Sequence, residues 1–327
     1  MSALPVSVRL AAGAAALMIA LLPAAPTLPA EPTPATFEQV WRTVRDRFFD
    51  PRLGGLDWQA VHDRYASEAA RATPTELSAT INRMLGELKT SHTRFLTRDE
   101  PAYYQLLGVF QAGSWPQYRK LFGNQGLAYV DIGAFTRQVE GRTLVTAVLD
   151  DSPAAQVGLR RGDELLAAGG LAGWQPVRAF AEREGKPTSL SVRRNGEPLT
   201  LTVTPRRYQP EKMFLEAMRA SARVIPQDDT RIGYIHIWSY AGDQYQALLR
   251  RELLEGRLRD ADALVLDLRG GWGGAQPNYL SLFTARAPEL TLRNRNRAER
   301  VERTAWTKPV VLLKSPVSES NVRISKL

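Results

Sequence analysis

Apolar residues recur at two different periods along this chain, and the change of period divides it. Phe37, Val40, Trp41, Val44 and Phe48 fall at helical spacing, and Thr36-Phe37-Glu38-Gln39 has the T-x-x-Q form of a capping box. Asp50-Pro51 and Gly54-Gly55 break that helix, and Asp57 is placed to cap a second one with Trp58, Val61 and Tyr65 on its inner face. Thr73-Pro74-Thr75-Glu76 combines an N-cap, a proline at the first helical position and an N3 glutamate, so it predicts a third helix. Leu77, Ile81, Leu85 and Leu88 form the buried stripe of this helix, which delivers the chain to Ser91-His92-Thr93. Residues 101–125 mix Tyr, Trp, Gly and Pro without a clear period and read as a linker or lid.

From 126 to 207 the period shortens. Leu144 to Val148, Leu190-Ser191-Val192 and Leu199 to Val203 are strand-like, Asn195-Gly196 signals a hairpin between the last two, and Pro153 to Val157 reads as a short helix. From 208 to 327 strands and helices alternate: strand Ile232 to Ile237, helix Tyr245 to Leu258, strand Ala263 to Leu268, and strand Pro309 to Leu313. The run Ala263-Leu264-Val265-Leu266 lacks alternation, as suits a strand buried on both faces of a parallel sheet. The whole predicts an α/β protein in which residues 31–100 are helical, 126–207 are β-rich and 208–327 form a βαβ core.

Composition adds little to this division: 327 residues, 44% hydrophobic and 24% charged, are ordinary for a globular protein of two or three domains. The net charge of +9 is spread along the chain. Its densest basic run, Arg293 to Arg303, also carries Glu299 and Glu302 and has no aromatic residues for base stacking, so no nucleic-acid partner is expected. Arg9 precedes the uncharged apolar run Leu10 to Leu22, whose thirteen residues are short for a mature membrane span and suit the core of a signal peptide in residues 1–30. Export to the periplasm, the cell envelope or the medium is the resulting expectation, with membrane contact only if this segment stays uncleaved. The absence of cysteine rules out disulfides, thiolate chemistry and Cys-ligated zinc, and no cofactor is expected.

Candidate chemistry centres on Asp267-Leu268-Arg269-Gly270-Gly271-Trp272-Gly273-Gly274, directly after the apolar strand. Four glycines in five residues leave backbone N–H groups free to face an anion before a helix predicted from Ala275 to Phe283. No Lys-Ser/Thr follows and no G-x-G-x-x-G spacing is present, which disfavours a nucleotide. An oxyanion hole and a tight packing turn are the two readings left. Among three histidines, His62 lies near the face of Val61 and Tyr65, and His236 lies in a strand. His92 sits past a helix end between Ser91 and Thr93, either as a base or as a cation at the helix C-terminus.

Two resemblances extend this reading. Ser152-Pro153-Ala154-Ala155-Gln156-Val157-Gly158-Leu159-Arg160-Arg161-Gly162-Asp163-Glu164-Leu165-Leu166 resembles the PDZ stretch S-P-A-x-x-A-G-L-x-x-G-D-x-I-L, which implies a module that captures peptide ends by strand addition. Phe37 to Tyr65, Leu85 to Leu88 with Ser91-His92-Thr93, this PDZ-like segment and the Asp267 to Gly274 octet together resemble the C-terminal-processing, or tail-specific, serine proteases, which include the tricorn core proteases. The resemblance implies a crotonase-like (ClpP-like) α/β core with a PDZ domain and an N-terminal helical region, acting as a serine-type endopeptidase on exported or envelope proteins. It implies that Gly273 and Gly274 supply oxyanion donors, with Gly271 standing where the family usually has Asn. Ser91-His92 matches the Ser-His pair of tricorn-like members, which makes His92 the general base. The nucleophile expected after the strand Val310 to Leu313 is Ser320, with Asn321 giving the second oxyanion N–H and Ser318 as the alternative. Arg323 stands at the family's glutamate. Seven residues follow Ser320, so the Lys of a Ser–Lys dyad, or the acid that orients His92, is expected in a part of the family fold beyond this chain. A frameshift or premature stop near residues 314 to 320 is the economical explanation under this reading. A non-catalytic PDZ-type peptide-binding pseudoenzyme is the competing reading, and an acyl-CoA enzyme on the same core is a third.

Overall fold

A computed structural model describes residues 31–90, 93–110, 127–284, 290–292, 300–302 and 304–314. The chain divides into two compact units, Met1–Ile81 and Asn82–Leu327. The signal-peptide segment, Ser91, His92, Ser318, Ser320, Asn321 and Arg323 lie outside the described residues.

In the first unit α1 (Pro34–Arg47) and α2 (Trp58–Ala69) pack through Phe37, Trp41, Trp58 and Val61, all buried. Two reciprocal hydrogen bonds lock them: the Trp41 indole donates to the Trp58 carbonyl at 3.0 Å, and the Trp58 indole donates to the Trp41 carbonyl at 3.1 Å. Each ring thereby satisfies its one polar atom inside an apolar contact. The start of α1 differs from the expected capping box at Thr36. Thr33 is the N-cap, Pro34 takes the first helical position that its fixed φ suits, and Thr36 serves as N3, accepting from the Thr33 N–H at 3.0 Å. Asp57 caps α2 by accepting from the Ala60 N–H. At α3 (Pro74–Gly86) Glu76 accepts from the backbone N–H of Thr73 at 2.8 Å, completing the predicted start.

Among its described residues the second unit holds two main sheets and two separate strand pairs. An antiparallel one has the order β2 (Ala134–Val139), β3 (Arg142–Val148), β4 (Glu164–Ala168), β6 (Thr188–Arg194), β7 (Glu197–Val203), with β5 (Leu171–Ala172) paired to β4. Short helices α5 (Pro153–Gln156) and α6 (Pro176–Phe180) help close its core of Ile132, Val145, Ala154, Leu165, Phe180, Leu190 and Val203. Asn195 and Gly196 both take positive φ in the β6–β7 hairpin, as the sequence pattern predicts. A separate pair, β1 (Tyr129–Asp131) with β8 (Arg206–Tyr208), brackets this region.

The other sheet is mixed, in the order β14 (Val310–Leu313), β11 (Ala263–Asp267), β10 (Thr230–His236), β9 (Arg223–Gln227). Its first three strands are parallel, and β9 is antiparallel to β10. Against it pack α7 (Pro210–Ser221), through Met213, Phe214, Ala217 and Met218, and α8 (Asp243–Leu254), through Tyr245, Leu248, Leu249 and Leu253. The register sets His236 beside Asp267 and Asp267 beside Leu313, so three strand ends open on one end of the sheet. Burial along β11 alternates: Leu264 and Leu266 are buried, Ala263 and Val265 half-buried. The expected strand buried on both faces is therefore not reached among the described residues.

Two segments depart from expectation. Residues 101–109, expected inside a linker, form α4 (Pro101–Val109), begun by a proline at the first helical position, and Val109 reaches the core. In place of a continuous helix from Ala275, a 3-10 turn at Pro277–Leu280 leads into the short α9 (Ser281–Thr284), because Pro277 disfavours helical backbone at the residue before it, and Gln276 is extended at φ −84° and ψ 146°. Two short strands, β12 (Leu290–Leu292) and β13 (Arg300–Glu302), pair antiparallel. No helix among the described residues is long and apolar enough to cross a membrane.

Candidate active site

The octet Asp267 to Gly274 leaves the end of β11 as a turn held from one side. The Trp272 N–H donates to the Trp238 carbonyl at 2.9 Å, and the Tyr240 N–H is shared by the carbonyls of Trp272 and Gly273, both at 3.2 Å. The loop's carbonyls are thus drawn toward residues 238–240. The amides of Gly270, Gly271, Gly273 and Gly274 have no hydrogen-bond partner among the described residues. Free backbone donors at the carboxyl ends of parallel strands make a site for an anion or a developing oxyanion.

Three of the four glycines have identifiable causes. A Cβ at Gly271 would lie 2.6 Å from the Ile237 carbonyl oxygen, so no side chain fits there. At Gly274, φ is +101° and a Cβ would lie 2.7 Å from the Ala241 Cα. Gly270 takes φ +68°, a left-handed conformation that costs little only for glycine. The loop therefore works through its backbone, and its close approach to residues 237–241 explains why Gly271 carries no asparagine-like side chain.

Asp267 is completely buried and anchors the loop's entrance. Its carboxylate accepts from the Arg269 N–H at 3.0 Å, from the Arg269 guanidinium and from the Tyr234 hydroxyl at 2.9 Å. Burial pushes this carboxyl up, but the Arg269 bonds and the nearby His236 outweigh it and hold it below the usual carboxylate range. The same contacts hold the Arg269 guanidinium firmly charged.

His236 lies much closer to the octet than a strand histidine read from sequence suggests. Its Nε2 donates to the Arg269 carbonyl at 2.7 Å, and its ring stacks on Trp238 with centroids 3.7 Å apart. Its Nδ1 is 4.0 Å from Asp150 Oδ2, and that same oxygen accepts the Trp238 indole N–H at 3.2 Å. Burial lowers the His236 pKa and raises that of Asp150. The signal that sequence reasoning missed was position: His236 ends the strand adjacent to β11. His62 is structural, as its position beside Val61 suggests. It sits between Glu38 at 2.8 Å and Asp63 at 3.0 Å, against the rings of Phe37 and Trp41. Burial opposes its protonation, but the two carboxylates prevail and raise its pKa.

Of the predicted site residues, Gly273 and Gly274 fall within the described residues, Gly273 buried and Gly274 exposed. Ser91, His92, Ser318, Ser320 and Asn321 do not. Among the described residues no group of three or more His, Cys, Asp or Glu could hold a metal ion.

Comparison with known proteins matches residues 29–86 to the tricorn protease C1 domain and residues 231–324 to peptidase family S41. A putative tricorn protease homolog 2 from Streptomyces coelicolor is 33% identical over 261 residues, which cover 73% of this chain and 20% of the relative. A carboxyl-terminal-processing protease from Synechocystis is 26% identical over 263 residues, covering 78% of this chain and 56% of the relative. The chain thus spans from a fifth to just over half the length of these relatives. The solved photosystem II D1 C-terminal processing protease aligns with 90% of this chain and 79% of its own, at 17% identity and a TM-score of 0.47.

Proposed function

Because the chain belongs to peptidase family S41, we propose that it carries the oxyanion loop and peptide-docking parts of a serine-type endopeptidase acting on exported or envelope proteins. The observation that carries this reading is the loop Gly270 to Gly274, with four amides that have no partner among the described residues, at the open end of three parallel strands. In this proposal Ser320 Oγ attacks the scissile carbonyl carbon while His92, beside Ser91, takes the hydroxyl proton. Negative charge forming on the carbonyl oxygen is met by the amides of Gly273 and Gly274, with the Asn321 N–H as a further donor. Collapse of the tetrahedral intermediate expels the amine, which takes the proton from His92, and water then hydrolyses the acyl-enzyme by the same steps. The core around the loop is proposed to be crotonase-like. The six-stranded sheet is proposed to be a PDZ domain, whose edge strand offers unpaired backbone to an extended substrate, including its C-terminal end. Export rests on the apolar run Leu10 to Leu22 after Arg9.

A fluorophosphonate probe tests the reading directly. The chain should be labelled at Ser320, lose labelling in Ser320→Ala and keep it in Ser318→Ala. Absence of labelling, or labelling that survives Ser320→Ala, overturns the assignment.

A further inference from the structure

The Arg269–Gly270 peptide is the entrance to the glycine loop, and its two polar ends have different fates. Its carbonyl is held by His236 Nε2 at 2.7 Å, while its N–H, on Gly270, has no partner among the described residues and Gly270 is exposed. A trans peptide is planar, with C=O and N–H pointing in opposite directions. Holding the carbonyl on the β10 side therefore turns the Gly270 N–H to the open side. Rotating this peptide by half a turn would point a carbonyl oxygen where an anion is to be received, and a glycine with φ +68° and only Ala147 near its Cβ position has little steric resistance to such a rotation. Something must fix it.

His236 is built for that task. It is 8% exposed, its ring is clamped against Trp238, and a carbonyl can only accept, so Nε2 carries a proton. Asp150, in the turn after β3, reaches both partners of the clamp: it accepts from the Trp238 indole and lies 4.0 Å from Nδ1. Trp238 is backed in turn by Phe135, nearly parallel to it at 5.6 Å. Turning Nε2 away from the Arg269 carbonyl would carry the imidazole plane out of its stack on Trp238 and would forfeit the 2.7 Å bond.

We propose that His236 is a positioning residue for the oxyanion loop, holding the Arg269 carbonyl through Nε2–H so that the Gly270 N–H stays on the open side of the loop as a donor additional to those of Gly273 and Gly274, with Asp150 and Trp238 fixing the ring. This rests on the peptidase reading above but concerns a group that does not touch substrate. The proton on Nε2 is present in both the neutral and the charged ring, so the bond to Arg269 persists through the titration of Nδ1.

The test uses side chains that copy one imidazole nitrogen each. Gln places its amide N–H near Nε2, whereas Asn reaches only as far as Nδ1. Glycine-selective 15N spectra should show the Gly270 amide displaced in His236→Asn and near its wild-type position in His236→Gln. Fluorophosphonate labelling should slow by about tenfold or more in His236→Asn and by less than about threefold in His236→Gln, at matched melting temperatures. Equal behaviour of the two variants in the glycine spectra overturns the proposal. If the wild-type chain is not labelled at all, the peptidase reading fails, and the glycine spectra still decide the positioning role. If His236→Asn does not fold, long-range 15N spectra of the wild-type histidines decide: His236 must show an Nε2–H tautomer at neutral pH, and an Nδ1–H tautomer overturns the proposal.

Discussion

Asp131, the last residue of β1, is 1% exposed, and although its Oδ1 accepts from the Ile132 N–H at 2.7 Å, its Oδ2 has no hydrogen-bond partner among the described residues. Burial pushes its carboxyl up to about 7, against the opposing pull of the Ile132 and Gly133 amides. A folded-state pKa above the unfolded one means that the group's stabilising contribution is complete below about 3.8 and is lost as pH rises through about 7. The full loss is on the order of 4 kcal/mol as an upper bound. Asp131→Asn, which cannot ionise, should therefore raise the melting temperature relative to wild type more at pH 8 than at pH 4; an equal change at both would show that Asp131 does not titrate in this range. Other residues in this region are structural in ways their motif suggested only in outline. Ser152 caps α5 by accepting from the Ala155 N–H, Gly158 and Gly162 take positive φ, and Asp163 accepts from the Arg160 N–H and the Arg194 guanidinium. These bonds hold the Asp163 carboxyl low against the effect of its burial. The motif's spacing was legible, but the partner Arg194, thirty-one residues away, was not.

At the scale of elements, the glycine loop behaves as one piece with two kinds of constraint. Gly270 and Gly274 both take positive φ, but only Gly274 also lacks space for a Cβ. Gly270→Ala should cost about 1 kcal/mol of stability from backbone strain alone. Gly274→Ala should cost a further 1–3 kcal/mol, roughly, because the added methyl pushes on Ala241. Urea unfolding of the two variants measures the difference, and equal midpoints would mean that the loop yields freely at Gly274. That glycines were needed here was readable from the sequence; which of them were needed for space was not, because residues 237–241 approach from another strand. The opposite failure concerns α7. Met213, Phe214, Ala217, Met218 and Ser221 already lie at helical spacing, yet the expectations above leave residues 210–221 unassigned. That helix supplies much of the core under β10 and was present in the periodicity throughout.

Across the second unit as a whole, the antiparallel sheet and the mixed sheet meet at aromatic rings. Phe135 of β2 stacks on Trp238 at 5.6 Å and on Phe214 at 6.2 Å, Asp150 bonds the Trp238 indole, and Ala147 lies 3.8 Å from the Cβ position of Gly270. Removing the ring at Phe135 should destabilise the protein by roughly 2–4 kcal/mol. Phe135→Ala should also uncouple the two sheets, so that calorimetry resolves separate unfolding transitions; a single transition merely shifted in temperature would show that the sheets are coupled elsewhere. Local pattern alone determined the helices α1 to α3, the β6–β7 hairpin, the parallel strands and the glycine turn, because periodicity, capping and turn chemistry act over a few residues. Tertiary structure decided what that turn became. The burial of Asp267, the bond from His236 to the Arg269 carbonyl and the packing of Gly271 against Ile237 join residues about thirty positions apart, and only the register of β10 against β11 brings them together. Distances of that kind are set by which strands pair, and no local pattern carries them.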